Sequence, residues 1–191
     1  MNRQAVEGIR QFLEALGIDL KASDMEKTPE RVATLFTQLF QGYGKESKEL
    51  WGDIFPTEYK GLVSVKGLPF YSMCEHHLMP FYGTADIVYQ PKDGRVVGLG
   101  KLGKLVDLYA RRPQLQERMT REIAEAIERD LQADGVMVRL HGTHLCMLIK
   151  GELQQGTTVT TMECRGVLRE SGSLREEALA VLGGTDYVQT P

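Results

Sequence analysis

Residues Val136–Lys150 read VMVRLHGTHLCMLIK. The apolar, β-branched start of this run predicts a strand that continues to Lys150. Side chains alternate across a strand, so His144, Cys146, Leu148 and Lys150 would share one face, with residues two apart separated by ~7 Å. His141 would then point to the other face. One row would hold a base, a soft metal ligand and a cation.

Working outward, Gln154-Gln155-Gly156 should turn this strand toward a second one, from about Thr158 to Cys164. Ser173 and Glu176 form a capping box for a last helix, Leu174 to Leu182. Upstream, Leu115, Met119, Ile123, Ile127 and Leu131 recur every fourth residue, the mark of a long helix. Gly100 to Arg111 predicts a shorter helix that ends before Pro113. Thr84 to Tyr89 and Val96-Val97 flank Pro91-Lys92-Asp93-Gly94, whose Asp-Gly step signals a hairpin. The stretch before residue 60 is irregular back to Gly42. Before that, Thr28 as N-cap, Pro29 at the first helical position and Glu30 in the first turn open a helix with Val32, Leu35, Phe36, Leu39 and Phe40 on its apolar face. Val6, Ile9, Leu13 and Leu16 line a first helix that Gly17 terminates. The order predicts an α+β fold with a largely antiparallel sheet: a helical segment over 1–60, then a catalytic domain over 61–191.

The chemistry lies in two short runs. The chain has 3 cysteines and 4 histidines. Cys74-Glu75-His76-His77 and His144-Leu145-Cys146 hold most of them, with His141 just upstream of the second run. Thiolate and imidazole are preferred zinc ligands, and three protein ligands leave a position for water. Zinc lowers the pKa of that water toward neutrality, which suits hydrolysis. Cys74 and His77 have the short spacing of a turn and can reach one metal. The expected set is Cys74, His77 and Cys146 on zinc, with His76 and His144 left for proton transfer. A closed structural zinc site usually carries two Cys-x-x-Cys pairs, which are missing here. Cys164, standing alone, reads as core filling. Lys101, Lys104, Arg111 and Arg112 gather near a predicted helix start, where phosphate binds readily, although such runs are more often solvated faces. Glu117 could be only a surface partner of Arg121.

Bulk properties narrow the classes. A net charge of -3 gives no reason to expect nucleic acid binding, and 42% apolar with 26% charged residues is ordinary globular composition. No apolar run approaches the ~18 residues of a membrane span. The N-terminal amphipathic segment lacks the apolar stretch and cleavage site of a signal peptide. Few cysteines, two with ligand-like neighbours, fit a reducing compartment, so the cytoplasm is expected.

With these pieces in place, the chain resembles the GTP cyclohydrolase I family. The resemblance rests on Thr28-Pro29-Glu30-Arg31-Val32 with Gly42-Tyr43, on Ser72-Met73-Cys74-Glu75-His76-His77 and on Gly98-Leu99-Gly100-Lys101. It continues through Arg112-Pro113-Gln114-Leu115-Gln116-Glu117-Arg118, Thr143-His144-Leu145-Cys146-Met147 and Gly166-Val167-Leu168-Arg169-Glu170. It implies a tunnelling fold, with helices on one side of an antiparallel sheet and sheets from many subunits closing a barrel, in a decamer with sites between subunits. It also implies conversion of GTP and water to formate and 7,8-dihydroneopterin triphosphate. Cys74, His77 and Cys146 would hold zinc, His144 would protonate the purine imidazole, and His76 would assist later proton transfers. Glu117 would hold the guanine edge with Gln116 beside it. Lys101, Lys104, Lys150 and a neighbouring subunit's Arg31 would face the triphosphate.

The sequence departs from the family pattern mostly around the phosphates. Gly100 stands where a serine is usual, and Lys104 and Lys150 stand where arginines are. Lysine keeps the charge and gives up the bidentate fork. Thr157 to Thr161 leads into Met162-Glu163-Cys164-Arg165, and His141-Gly142 replace an acidic residue and its small partner. A paralogue that prefers another purine nucleotide is therefore a second reading. A noncatalytic zinc-binding assembly protein and a nitrile-reducing relative that uses a nucleophilic cysteine are further ones.

Overall fold

A computed structural model of the chain describes residues 2–152 and 155–183. Gln154 of the expected turn and the last eight residues of the expected catalytic domain lie outside them. The chain divides into two compact units, with the boundary between Gln41 and Gly42.

The first unit is a helix pair. Helix α1 (Arg3–Ala15) is capped by Asn2, whose side chain accepts from Gln4 N at 2.9 Å. It ends at Leu16, where Gly17 takes the left-handed conformation, φ +81°. Helix α2 (Thr28–Leu39) starts one residue earlier than expected. Thr28 is already helical, and no side chain caps the helix. Pro29 in the first turn supplies the preset φ that starts it.

The second unit begins with a 3-10 turn (Ser47–Leu50) and strand β1 (Ile54–Pro56), followed by β2 (Val63–Cys74) and β3 (Pro80–Gln90). Then come β4 (Arg95–Val97), α3 (Gly100–Ala110), β5 (Pro113–Gln114) and α4 (Gln116–Leu131). It finishes with β6 (Gly135–His144), α5 (Leu145–Leu148), β7 (Val159–Gly166), α6 (Val167–Glu170) and α7 (Gly172–Val181). Five strands form one sheet in the order β5-β2-β3-β6-β7, antiparallel except where short β5 runs parallel to the end of β2. The expected α+β, antiparallel architecture is present.

Helices α3 and α4 cover one face of the sheet. Their Leu102, Leu105, Met119, Ile123 and Ile127 pack on Ala85, Ile87, Val138 and Leu140, all fully buried. Each such Leu or Ile contributes about 1.5–3 kcal/mol by leaving water. Helix α7 covers part of the other face, where Val88 and Met137 meet Leu168, Ala178 and Leu182. Cys164 packs against this smaller cluster.

Three local expectations change. Asp93-Gly94 makes a turn but no hairpin with β3, because β3 already pairs along both edges, with β2 and with β6. Strand β4 pairs instead with β1, and Thr57 N donates to Gly94 O at 2.6 Å. The long strand stops at His144 instead of Lys150. His144 pairs with Phe81 at the start of β3. The next partner would be Pro80, which has no N–H to offer. The chain therefore coils into α5, with Ile149 N donating to Leu145 O at 3.0 Å. His144, Cys146, Leu148 and Lys150 do not share a strand face. Lastly, Ser171 rather than Ser173 caps α7, accepting from Leu174 N at 3.4 Å in an extended conformation.

On the face opposite α3 and α4, Asp86 and Arg139 form a buried ion pair at 3.0 Å. Asp86 also accepts from Gly67 N at 2.9 Å, at the register shift of β2, and Arg139 donates to Leu182 O at 3.2 Å. His141 lies on this face, its Nδ1 2.9 Å from Thr160 Oγ1. Asp86→Ala strips Arg139 of this carboxylate in a low-dielectric setting, and the expected loss is about 3–5 kcal/mol by urea unfolding. A loss below about 1 kcal/mol would contradict this account of the second face.

Candidate active site

The site is built where the ends of β2 and β6 lie on either side of the start of β3. Strand β2 ends at Cys74, and a tight turn follows. Leu78 N donates to Cys74 O and Cys74 N to Met79 O, both at 2.8 Å, with Leu78 at φ +51°. Two other elements clamp this turn. Glu75 N donates to Gln114 O at 3.1 Å, and the Glu75 carboxylate accepts from the Arg118 guanidinium of α4. Arg118 Nε also donates to Gln114 Oε1 at 2.7 Å, so the start of α4 is tied to the turn.

Helix α5 brings Cys146 back toward Cys74. Both thiols are buried and adjoin each other. Burial pushes the Cys146 thiol up, and the hydrogen-bonding Cys74 thiol pushes it further. A bound divalent ion would reverse that shift of the Cys146 thiol. The donor types therefore suit a soft metal. The geometry gathers less than the sequence promised. His76 Nδ1 lies 3.9 Å from Cys74 Sγ, while His77 is exposed on the turn. Among the described residues, no three His, Cys, Asp or Glu side chains converge on a metal position. The thiol pair is present, and a closed three-ligand cage is not.

His144, the last residue of β6, is stacked flat on Phe81, with ring centroids 4.7 Å apart and planes 5° from parallel. Its Nε2 lies 2.8 Å from Gln116 Oε1. Burial holds its pKa below the ordinary histidine range, against the opposing pull of the Glu117 carboxylate. Glu117 is exposed in the first turn of α4, beside the buried Gln116. The Gln116 amide is hydrogen-bonded to protein groups at both its nitrogen and its oxygen.

The basic residues divide. Lys101 Nζ donates to Leu50 O at 2.8 Å. Arg111 pairs with Asp107 at 2.9 Å, and Arg112 lies over the Tyr109 ring at 4.5 Å while donating to Lys45 O at 3.2 Å. Lys150 is exposed and pairs with Glu152 at 2.6 Å, whereas Lys104 is exposed on α3. Arg31 is exposed on α2 of the first unit. Sequence reasoning missed Phe81 and the Glu75–Arg118 clamp. Both depend on cross-strand and helix-to-turn register, which no local pattern carries.

The family model for GTP cyclohydrolase I matches residues 5–183. The chain belongs to the GTP cyclohydrolase I family. It is 42% identical over 183 residues to the GTP cyclohydrolase 1 of Streptococcus pyogenes serotype M49, covering 95% of this chain and 94% of that protein. It is 41% identical over 182 residues to the GTP cyclohydrolase 1 of Streptococcus agalactiae serotype V, covering 95% and 97%. Among solved structures, an archaeosine synthase QueF-Like in the apo form aligns with a TM-score of 0.47 and 20% identity, over 57% of this chain and 97% of that one. A guanine-bound dihydroneopterin aldolase from Burkholderia thailendensis aligns at 0.39 and 13%, over 61% and 93%.

Beneath the site, β3 and β6 approach closely at Gly83. A Cβ on Gly83 would lie 1.7 Å from His141 O, a backbone atom that cannot step aside. Gly83→Ala must part β3 from β6 beside Phe81 and His144. The expected result is a loss of about 3 kcal/mol or more, read as a lowered unfolding midpoint. A variant that unfolds with the parent would refute the close pairing.

Proposed function

We propose that the chain converts GTP and water to formate and 7,8-dihydroneopterin triphosphate, the entry to folate and pterin synthesis. One observation carries the reading: the buried thiols of Cys74 and Cys146 meet near the stacked His144 in a chain of this family. We assign zinc to Cys74, Cys146 and His77, since paired thiols favour a soft divalent ion and His77 holds the family's ligand position. When bound, zinc supplies the Lewis acidity that readies water for attack on the purine C8.

The chain's own groups do the rest. C8 is a poor electrophile until N7 is protonated, and His144 is the acid for that step. His76, exposed on the turn, serves the later proton transfers of ring opening and rearrangement. The Glu117 carboxylate accepts two N–H bonds from the guanine edge. Several phosphate charges call for several cations. Lys101, Lys104 and Lys150 are the candidates within the second unit, with Lys101 and Lys150 already engaged by protein oxygens. That shortage supports a site completed by Arg31 of another copy. Strand β7 ends the sheet among the described residues, in keeping with sheets of several copies joining into a barrel, as in a homodecamer. The three unpaired cysteines suit the cytoplasm, and no helix among the described residues is long and apolar enough to cross a membrane.

The engaged lysines also favour a second reading, a relaxed preference among purine nucleotides. Zinc-loaded protein given GTP should yield formate and, after oxidation, neopterin fluorescence in equal amounts. His144→Ala should lose at least about 10²-fold in rate. A sharp preference for GTP over GDP, GMP and guanosine is expected, and equal turnover of all four would establish the second reading. Neither product from protein that retains zinc would overturn both readings and leave a noncatalytic zinc-binding protein.

A further inference from the structure

Gln116 stands at the start of α4, a residue only 1% exposed, beneath the sheet end that carries His144. Every hydrogen-bonding position of its amide has a visible use. Nε2 lies 2.8 Å from Val159 O, 3.3 Å from Leu140 O and 3.1 Å from Thr161 Oγ1. The two carbonyl oxygens can only accept, so the atom facing them must be the NH₂ group. The amide cannot be flipped without setting oxygen against oxygen. Oε1 is thereby left facing His144 Nε2 at 2.8 Å, and it can only accept.

The surrounding hydroxyls hold the amide in this sense. Thr120 Oγ1 donates to the Gln116 backbone O at 2.7 Å, and the Thr120 and Thr161 hydroxyls lie 2.6 Å apart. With Thr120 already donating to a carbonyl, Thr161 donates to Thr120 and keeps its lone pairs for Gln116 Nε2. Opposite this cluster the sheet is bare. Gly142 is paired with Gly83, and a Cβ on Gly142 would lie 2.2 Å from Gln116 Oε1 and 3.4 Å from His144 Nε2. The oxygen that meets His144 occupies the space a side chain would fill.

We propose that Gln116 is a positioning residue that fixes His144 in its Nε2–H tautomer and presents Nδ1 to the substrate, and that Gly142 supplies the room for this contact. The proposal deepens the cyclohydrolase reading and rests on it for the identity of the proton acceptor. In the step it serves, His144 starts as the doubly protonated imidazolium; its Nδ1–H bond breaks and an N7–H bond forms. The electron pair stays on Nδ1, and the ring is left as the Nε2–H form that Gln116 Oε1 already stabilises. The stack on Phe81 fixes the ring plane, and Gln116 fixes which edge is which. Gln116 then acts through His144 and makes no substrate contact of its own.

The test is ¹⁵N-histidine NMR of the zinc-loaded full chain, together with GTP kinetics on the same samples. The native protein should show His144 as a single Nε2–H tautomer. In Gly142→Ala the clash falls on the end of a side chain, so the fold should persist while the amide oxygen is displaced. That variant should show mixed tautomers and a kcat lower by about tenfold to a hundredfold, with KM for GTP nearly unchanged. Gln116→Met, of similar length and without the acceptor, should reproduce both effects and serves if Gly142→Ala unfolds. An Nδ1–H tautomer in the native protein would overturn the proposal. So would a variant that keeps the single tautomer and native kcat, or one that changes KM alone. If the native protein turns over no GTP while the tautomers behave as described, the positioning role stands and the substrate reading falls.

Discussion

Strand β3 has no free edge, and most of the site follows from that. Its N-terminal half pairs with β2 on one side and β6 on the other, so Cys74 and His144 come to lie at the same end of the sheet. Pro80 ends the ladder because it has no N–H. The end of that pairing lets β6 break into α5 at Leu145, and α5 delivers Cys146 to Cys74. Had the strand run on to Lys150, Cys146 would have stood in line with His144, and nothing would have turned it back toward Cys74. One imino acid thus decides where the second thiol goes.

Helix α4 supplies the other half of the construction. Its apolar face anchors it to the sheet through Met119, Ile123 and Ile127. Its first turn then reaches the site with three different side chains. Arg118 holds the turn that carries the two exposed histidines, Gln116 meets His144, and Glu117 remains exposed. Adjacent positions on one helix end therefore separate structural duties from exposure to solvent. This is why Gln114 to Arg118 reads as a block: Gln114, Gln116 and Arg118 are tied into the protein, which leaves Glu117 as the exposed carboxylate.

Much of the fold was legible because its signals are periodic and local. The four-residue spacing from Leu115 to Leu131 marked α4, and the Gly17 stop and the Pro29 start marked the first two helices. The Cys and His runs marked the site because such residues seldom cluster without a ligand. What stayed hidden depends on partners distant in sequence. Asp93-Gly94 has hairpin chemistry, but the edge it would need on β3 is taken by β6. Lys101 is tied to Leu50 O, and Arg112 to Lys45 O and the Tyr109 ring, partners that no local pattern shows. The Gly142 space has meaning only once Gln116 is seen within it.

The central claim is that Cys74 and Cys146 form one metal position, although some seventy residues separate them. Titrating Co²⁺ into metal-free full-length protein tests it directly, because thiolate ligands give cobalt a charge-transfer band that oxygen and nitrogen ligands do not. The expected result is about one Co²⁺ per chain with a thiolate band of two-sulfur intensity, weakened in both Cys74→Ser and Cys146→Ser. A band that either serine variant leaves unchanged, or cobalt bound with no thiolate band at all, would contradict the shared site.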